Sequence, residues 1–561
     1  MQIMKKHDES IPLAPSMSPI MGKKSVQTPG GVDKRVLYLS IQAIFNALVI
    51  GLIAKGLVYL IDLITNISFY GKFTFEPMSP ANNNLGLTVI AIPIIGSLIV
   101  GVIARYGSKA VRGHGIPEAM EKIILDDSKI PPLITLLKPL SAAISIGTGG
   151  PFGAEGPIIA TGGAFGSFTG QIMHITATER KIMLSAGACA GMAAIFGSPL
   201  AAVLLAIELL LFEFSARSII PVALACITGA GMHIWLFGHD PVFAMGAIPA
   251  PSDSALLVYV GMGLLIGVIA ALVSKSVYAV EDLFEKLPIH WMWWPALGAI
   301  AVGVVGYFAP FTMGVGYDNI QHLLEGNLPL AALLSLCLLK YISWVISLGS
   351  GTSGGTLAPL FTIGGAAGAL IGLVILHVFP GSGITLATAA LVGMAAMFAG
   401  ASRALLTSIV FALETTGQPN GLLPLLGACI AAYFVSFFLM KGSIMTEKIR
   451  RRGVSTPDTY ESDLLRHTTA KEIMTPVAEQ TTALHAVREN DDLGACMQLM
   501  GEYGVSELLV TDDAGHVKGM LNATSLIKYY SDQRAIAERY EAPVRTKRFI
   551  IRTRRLMHAK R

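Results

Sequence analysis

Charge is scarce in this chain. Only 14% of its 561 residues are Asp, Glu, Lys or Arg, against 53% hydrophobic, and the formal net charge is +4. With a mean hydropathy of +0.61, this balance lies far from that of a soluble globular protein. Cysteine is sparse too: Cys189, Cys226, Cys337, Cys429 and Cys496 show no metal-ligand or redox spacing. Four of them lie in apolar runs, so they read as small core residues, with no disulfide and no metal site implied. No nucleophile–base pattern or phosphate loop points to an enzyme. The first residues lack a short hydrophobic core with a small-residue cleavage site, so no cleaved signal peptide is expected.

Apolar runs dominate what remains. Residues 182–207, 255–274, 355–379, 384–402 and 421–440 are each long enough to approach or cross a bilayer. Further candidates lie near 36–61, 85–104, 132–149, 156–175, 218–237, 296–311 and 328–348. The chain therefore reads as an all-α, polytopic integral membrane protein. Its 59 glycines concentrate inside these runs. Glycine lets helices approach closely in lipid and lets broken helices line a cavity, so short, tilted and re-entrant helices are expected.

Basic residues flank the apolar region. Lys5, Lys6, Lys23, Lys24, Lys34 and Arg35 precede it, and Lys448, Arg450, Arg451 and Arg452 follow. The positive-inside rule places both ends in the cytoplasm, with an even number of crossings. The basic run 545–561 suits anionic lipid better than nucleic acid. Expected boundaries are a polar N-terminal segment (1–34), a membrane domain (35–446), a linker (447–470), a small α/β module (471–531) and a basic tail (532–561).

The membrane domain says the same thing twice. Residues 144–166 (ISIGTGGPFGAEGPIIATGGAFG) align without a gap on 346–368 (ISLGSGTSGGTLAPLFTIGGAAG), at an offset of 202. The same offset carries Lys138 onto Lys340 and GMAAIF (191–196) onto GMAAMF (393–398). Two repeats, approximately 35–237 and 255–446, follow from this. In duplicated transporters the substrate site lies where the halves meet. The copies differ at one telling place: Glu155 falls on Leu357.

Three segments share a glycine-rich break and then a proline able to begin a helix: GHGIPE (113–118), GAEGP (153–157) and GGTLAP (354–359). Free N–H groups and the dipole at a helix start form an anion site. Several converging starts would hold an anion without a full positive charge, which suits permeation because binding must stay weak. Glu155 lies beside one such start, where its carboxylate would compete with an anion for the same donors. Protonation would release it, so Glu155 can be at once gate and proton acceptor. The structural alternative is a glutamate that only caps a helix.

With these motifs in order, residues 36–446 resemble the CLC family of chloride channels and proton-coupled chloride exchangers. The resemblance implies a homodimer with one pore per subunit and two halves of opposite orientation, inverted repeats of tilted, broken helices. It further implies that Glu155 is the external gating glutamate. His114, Gly115 and Ile116 would form the first anion-binding loop, Gly156 would belong to the second, and Thr356 and Leu357 would supply amides of the third. Met445 stands where the family commonly places an anion-contacting tyrosine.

The chain departs from the family pattern at several of these places. His114 replaces the usual serine, Ala154 a basic residue and Leu357 a phenylalanine. The second acid of the exchangers' proton route falls at Leu209, with Glu208 one position earlier. A shift of one residue turns a helical side chain by ~100°, so the standard coupled route is not expected, and channel and exchanger both stay open.

His114 reads equally as an anion contact or as a hydrogen-bonding loop residue. Lys138 and Lys340 can be snorkelling anchors or can make the pore potential positive, and the second role is assigned to Lys138 because it shares a segment with Glu155. Glu414 and Arg403 read as structural polar residues.

Residues 471–531 resemble a CBS motif through IMTP, LM…YGVSELLV and VKGML…SLI. A CBS motif raises an adenine nucleotide as the one candidate cofactor, and a single copy speaks little for it. The expected location is a bacterial inner membrane. Two alternatives are a fluoride-selective variant of the same fold and a CBS-linked divalent-cation transporter. The latter would need intramembrane oxygen ligands, and here glycine-rich helix starts dominate and the apolar zone is poor in acids.

Overall fold

The computed structural model describes residues 34–173, 175–453, 468–476, 485–512 and 516–541. The basic residues before Lys34, most of the expected linker, the turn Asp513–Gly515 and the run 545–561 lie outside the described residues. The chain divides into two units, Met1–Asp458 and Thr459–Arg561.

The first unit is helical, and among its described residues eight helical stretches are long and apolar enough to cross a membrane. Its first half holds α1 (Lys34–Thr65), α2 (Ala91–Tyr106), α3 (Ile116–Leu125), α4 (Ile134–Gly147), α5 (Glu155–Ile172), α6 (Ala177–Phe196), α7 (Pro199–Leu205) and α8 (Ala216–Phe237). The second half holds α9 (Asp253–Glu285), α10 (Trp294–Phe308), α11 (Tyr317–Glu325), the short α12 (Leu330–Leu334), α13 (Lys340–Gly349), α14 (Leu357–Val378), α15 (Leu386–Ser402), α16 (Leu405–Thr416) and α17 (Leu422–Leu439). Packing repeats between the halves: α5 lies on α6 as α14 lies on α15, and α6 on α8 as α15 on α17.

Glycine makes the central packing possible. A β-carbon on Gly162 would collide with the carbonyl oxygen of Gly187, and one on Gly187 with that of Gly162. Gly364 and Gly393 face each other in the same way in the second half. With no hydrophobic drive between helices in lipid, such close backbone contact is the main source of association. Polarity is correspondingly inverted. Large apolar side chains such as Leu52, Leu272 and Phe434 are exposed, whereas Lys138, Glu155, Glu179 and Lys340 are buried. Arg35 closes one end of α1 onto α6, its guanidinium forking onto Glu179 at 2.6 and 2.8 Å.

The apolar run 182–207 is two helices, because α6 stops at Gly197 in the left-handed region (φ 61°) before α7 begins. α15 stops the same way at Arg403 (φ 62°), a conformation costly for a residue with a β-carbon. Its guanidinium compensates by donating to the carbonyls of Ser436 and Met440 at the end of α17.

Beyond these stops the halves clasp each other. Glu414 in α16 accepts from the N–H groups of Leu200 (3.0 Å) and Ala201 (2.8 Å), which open α7. Glu208, just past α7, accepts from those of Leu406 (2.8 Å) and Thr407 (2.9 Å), which open α16. Donors and acceptors are related by an offset of 206, not 202. The structural correspondence therefore slips by four residues, about one helical turn, between the glycine loops and these helices, so GMAAIF and GMAAMF are not equivalent position for position. Residues Glu447–Arg451 (α18), expected to open a linker, are helical and lie on the membrane unit, with Lys448 at 3.7 Å from Glu118 and 3.8 Å from Glu281.

The second unit is the small α/β module. After α19 (Ala470–Ile473) come β1 (Ala486–Arg488), α20 (Leu493–Tyr503), β2 (Glu507–Thr511), β3 (Val517–Asn522) and α21 (Ala523–Glu541). β1 pairs parallel with β2, and β2 antiparallel with β3. The expected helix–strand–strand–helix order is present, and β1 is a strand that the sequence pattern did not disclose. The core comprises Val487, Leu493, Cys496, Leu508, Val510 and Leu521. Burial pushes the Cys496 thiol up to about 12, which leaves it unreactive at neutral pH.

The Glu208–Glu414 clasp predicts that Glu414→Ala lowers stability by about 1 kcal/mol by orphaning two N–H groups, and that Glu414→Gln, which keeps an acceptor, lowers it less. Thermal unfolding of the detergent-solubilised protein followed by size-exclusion chromatography reads the difference; equal midpoints for all three proteins would show that the clasp does not stabilise the fold.

Candidate anion site between two cavities

All three glycine–proline segments open helices: Ile116 begins α3, Glu155 begins α5 and Leu357 begins α14. Their loops are laced by main-chain hydrogen bonds. The N–H of Gly113 donates to the Thr352 carbonyl (3.0 Å), and that of Gly355 to the Gly153 carbonyl (3.1 Å). A β-carbon on Gly115 would strike the Gly156 carbonyl, and one on Gly156 the His114 carbonyl and, at 2.8 Å, the Gly355 Cα. The starts of α3, α5 and α14 thus touch backbone to backbone, and their first N–H groups have no intrahelical partners.

A fourth start completes the set, and the sequence reading missed it. Gly316 (φ 73°) caps α11 as Gly115 (φ 101°) caps α3, at an offset of 201. The signal was the G-x-G of residues 314–316 repeating the G-x-G of 113–115. Each loop is held by its own buried lysine. Lys138 Nζ donates to the carbonyls of Val111 and Gly113, both at 2.9 Å. Lys340 Nζ donates to those of Thr312 (3.2 Å) and Gly314 (3.5 Å), again displaced by 201. Both ammonium groups are therefore structural pins as well as charges. Lys340, rather than Lys138, has Glu155 as its electrostatic neighbour.

Glu155 is completely buried. Its carboxylate folds back over the loops: Oε1 accepts from the Tyr317 hydroxyl at 2.9 Å, and Oε2 would stand 3.1 Å from a β-carbon on Gly355. The main-chain N–H groups of Glu155 itself and of Ala358 lie close to the carboxylate. Oε2 has no hydrogen-bond partner, and the carboxylate as a whole lies at the starts of α5 and α14.

The other residues singled out from sequence fall around this point. His114 is buried with its Nδ1 unpartnered. The Gly115 N–H is taken by Glu118 Oε2 at 2.6 Å, so that amide is not free, and Ile116 is the first residue of α3 beyond it. Thr356 caps α14 without a side-chain hydrogen bond, and Leu357 is its first residue. Met445 is fully buried on a segment held by the Tyr278 hydroxyl, which donates to the Ile444 carbonyl at 2.7 Å. Leu209 is buried and apolar, and both Glu208 oxygens are engaged on the opening of α16. No group of metal-ligating side chains occurs among the described residues.

Two cavities lie toward opposite ends of α4, and Glu155 itself lines neither. One, of about 770 Å³, includes Ile146, Ala154, Tyr317, Asp318 and His322. The other, of about 500 Å³, includes Ile134, Lys138, His114, Arg112, Lys448 and Arg452. The second is lined by six lysines and arginines against Glu118, Glu121, Glu281 and Glu285, with Lys448 and Arg452 paired to three of these acids, whereas the first holds Asp62 and Asp318.

A duplicated helical membrane unit with converging helix starts, and cavities toward opposite ends of α4, defines a membrane transport protein. The chain belongs to the voltage gated chloride channel family, whose model matches residues 95–437, and carries a CBS domain matching residues 470–532. Among curated relatives, the H(+)/Cl(-) exchange transporter ClcA of Yersinia pestis is 30% identical over 60% of this chain and 72% of its own length. The putative chloride channel protein ClcB-like of Ralstonia nicotianae is 25% identical over 64% and 85%. Among solved structures, a slow cyanobacterial Cl-/H+ antiporter superposes with TM-score 0.67 at 24% identity, covering 74% of this chain and 97% of that one. A CLC-type fluoride/proton antiporter superposes with TM-score 0.60 at 21% identity, covering 74% and 98%. At these identities the structural likeness shows the fold.

The backbone contact at Gly156 yields a prediction. Gly156→Ala forces a methyl group between the His114 carbonyl and Gly355, spreading the helix starts, and anion affinity falls roughly tenfold or more (above about 1.4 kcal/mol). Calorimetric titration of the purified variant with chloride measures this; an unchanged affinity would mean that the loops need not touch.

Proposed function

We propose that this protein exchanges chloride for protons across a bacterial inner membrane, with Glu155 serving as both gate and proton carrier. One observation carries the reading: the buried Glu155 carboxylate lies at the helix starts of α5 and α14, with one cavity bordered by its neighbours Ala154 and Tyr317 and another bordered by His114. An ionised carboxylate there takes the donors an anion needs, so chloride and the charged side chain exclude each other. Protonation removes that competition, the side chain leaves, and the N–H groups hold chloride weakly enough to release it. Moving the carboxyl between the site and a cavity carries its proton in the opposite sense.

The 30% identical Yersinia relative, an H(+)/Cl(-) exchange transporter, supports exchange, whereas the 25% identical Ralstonia relative is a putative chloride channel protein. The basic cavity faces the cytoplasm in this reading, as the flanking lysines and arginines require. Its six cations against four carboxylates leave it net positive, which favours anions at its mouth. Protons do not reach Glu155 from that side through residue 209, which is leucine, nor through Glu208, which is bound to α16. The site is complete within one chain, so the homodimer proposed from the family resemblance carries two independent pores.

Proteoliposomes under a chloride gradient should drive protons uphill, and recording chloride and pH together tests this. Chloride flux with no proton movement would replace exchange by uncoupled conduction. Glu155→Gln should abolish proton movement and leave chloride flux independent of pH between about pH 4 and 8, since a carboxamide cannot ionise in that range. If that variant kept the parent's pH profile, Glu155 would not be the gate.

A further inference from the structure

Tyr317 holds the gate from the side opposite the basic cavity. It is the first residue of α11, placed there by the left-handed Gly316, and it occupies in the second half the position Ile116 takes in the first. Its ring is clamped edge-on by Phe196 (5.9 Å between centroids) and Phe243 (5.8 Å). Phe196 rests on Phe411 (4.8 Å), which stacks on Phe361 (5.0 Å). Phe243 is tied down by its own N–H, which donates to the Thr415 carbonyl at 3.0 Å. On this side the ring is backed by side chains of α6, α14 and α16, while elsewhere it borders the cavity that holds Asp318 and His322.

That ring aims one hydroxyl at Glu155 Oε1, 2.9 Å away. An ionised carboxylate only accepts, so the phenol is the donor. Hydrogen bonds to a charged acceptor are roughly twice as strong as neutral ones, and this one therefore weakens when the carboxyl takes a proton. We propose that Tyr317 is a positioning residue: its clamped hydroxyl latches the ionised Glu155 carboxylate over the helix starts and sets the pH at which the gate lets go. This proposal deepens the gate reading and rests on it.

The other charged and titratable groups facing the carboxylate do not make that contact. Lys340 of α13 acts on Glu155 through space while its Nζ is spent on the Thr312 and Gly314 carbonyls. His114 meets the start of α5 through its main-chain carbonyl. Asp62, Asp318 and His322 line the cavity on the Tyr317 side. With methionine at 445, a position where the resemblance expects a hydroxyl, Tyr317 supplies one to the gate itself.

Tyr317→Phe removes the oxygen and keeps the clamped ring. Losing a donor to the ionised form favours protonated, released Glu155. The pH of half-maximal chloride flux should therefore move up by about one unit, with maximal flux at low pH retained. In the Glu155→Gln background the same change should have no effect on the pH profile. An unchanged midpoint in Tyr317→Phe, or lower maximal flux at an unmoved midpoint, would overturn the latch while a pH-independent Glu155→Gln leaves the gate standing. A Glu155→Gln protein with the parent's pH profile would overturn both.

Discussion

The structure turns on backbone contact among glycine loops. The first N–H groups of α3, α5 and α14 have no intrahelical partner, and in a membrane interior each must be satisfied by protein or by ligand. Gly115, Gly156 and Gly355 let the three starts approach until a single β-carbon would force them apart. Everything else serves that meeting. The Gly162–Gly187 and Gly364–Gly393 contacts bring α5 and α14 down onto their partner helices. Lys138 and Lys340 tie off the carbonyls of the loops before α3 and α11. The result is a buried cluster of helix starts that, in the proposed reading, offers N–H donors to an anion.

On that symmetric frame the chemistry is asymmetric. The halves share their helix order, their loop-pinning lysines and the reciprocal clasp of Glu208 and Glu414. They differ at position 155, where one half brings a carboxylate and the other brings Leu357. They differ again at the caps of α3 and α11. His114 lines the cavity that holds Arg112 and Lys448, and Tyr317 the one that holds Asp62 and Asp318. A pseudo-symmetric scaffold gives two routes to one point, and the residues that break the symmetry decide what may pass along each.

Much of this was legible in the sequence. The gapless repeat of residues 144–166 on 346–368 disclosed the two halves, because a broken helix needs its glycines at fixed places. The glycine–proline signature disclosed three of the four helix starts. The fourth was missed because α11 opens on Tyr317 and Asp318 without a proline, so only the bare G-x-G remained. The pairing of Glu208 with Glu414 was hidden for another reason. The halves keep register at 201 or 202 through the glycine loops and then slip to 206, so an alignment held at 202 sets Glu208 opposite Val410.

Sequence by itself determined the class of the protein: a duplicated, charge-poor membrane chain with anion-friendly helix starts, one intrusive carboxylate and an appended CBS module. These follow from composition and local backbone chemistry, which neighbouring residues dictate. Tertiary structure alone decided which groups meet. Tyr317 and Glu155 are separated by 162 positions, yet their side chains share a hydrogen bond. Lys138 and Glu155 are close in the chain, yet it is Lys340 whose charge faces the carboxylate. A hydrogen bond depends on where folded elements place donor and acceptor in space, and no local pattern records that distance.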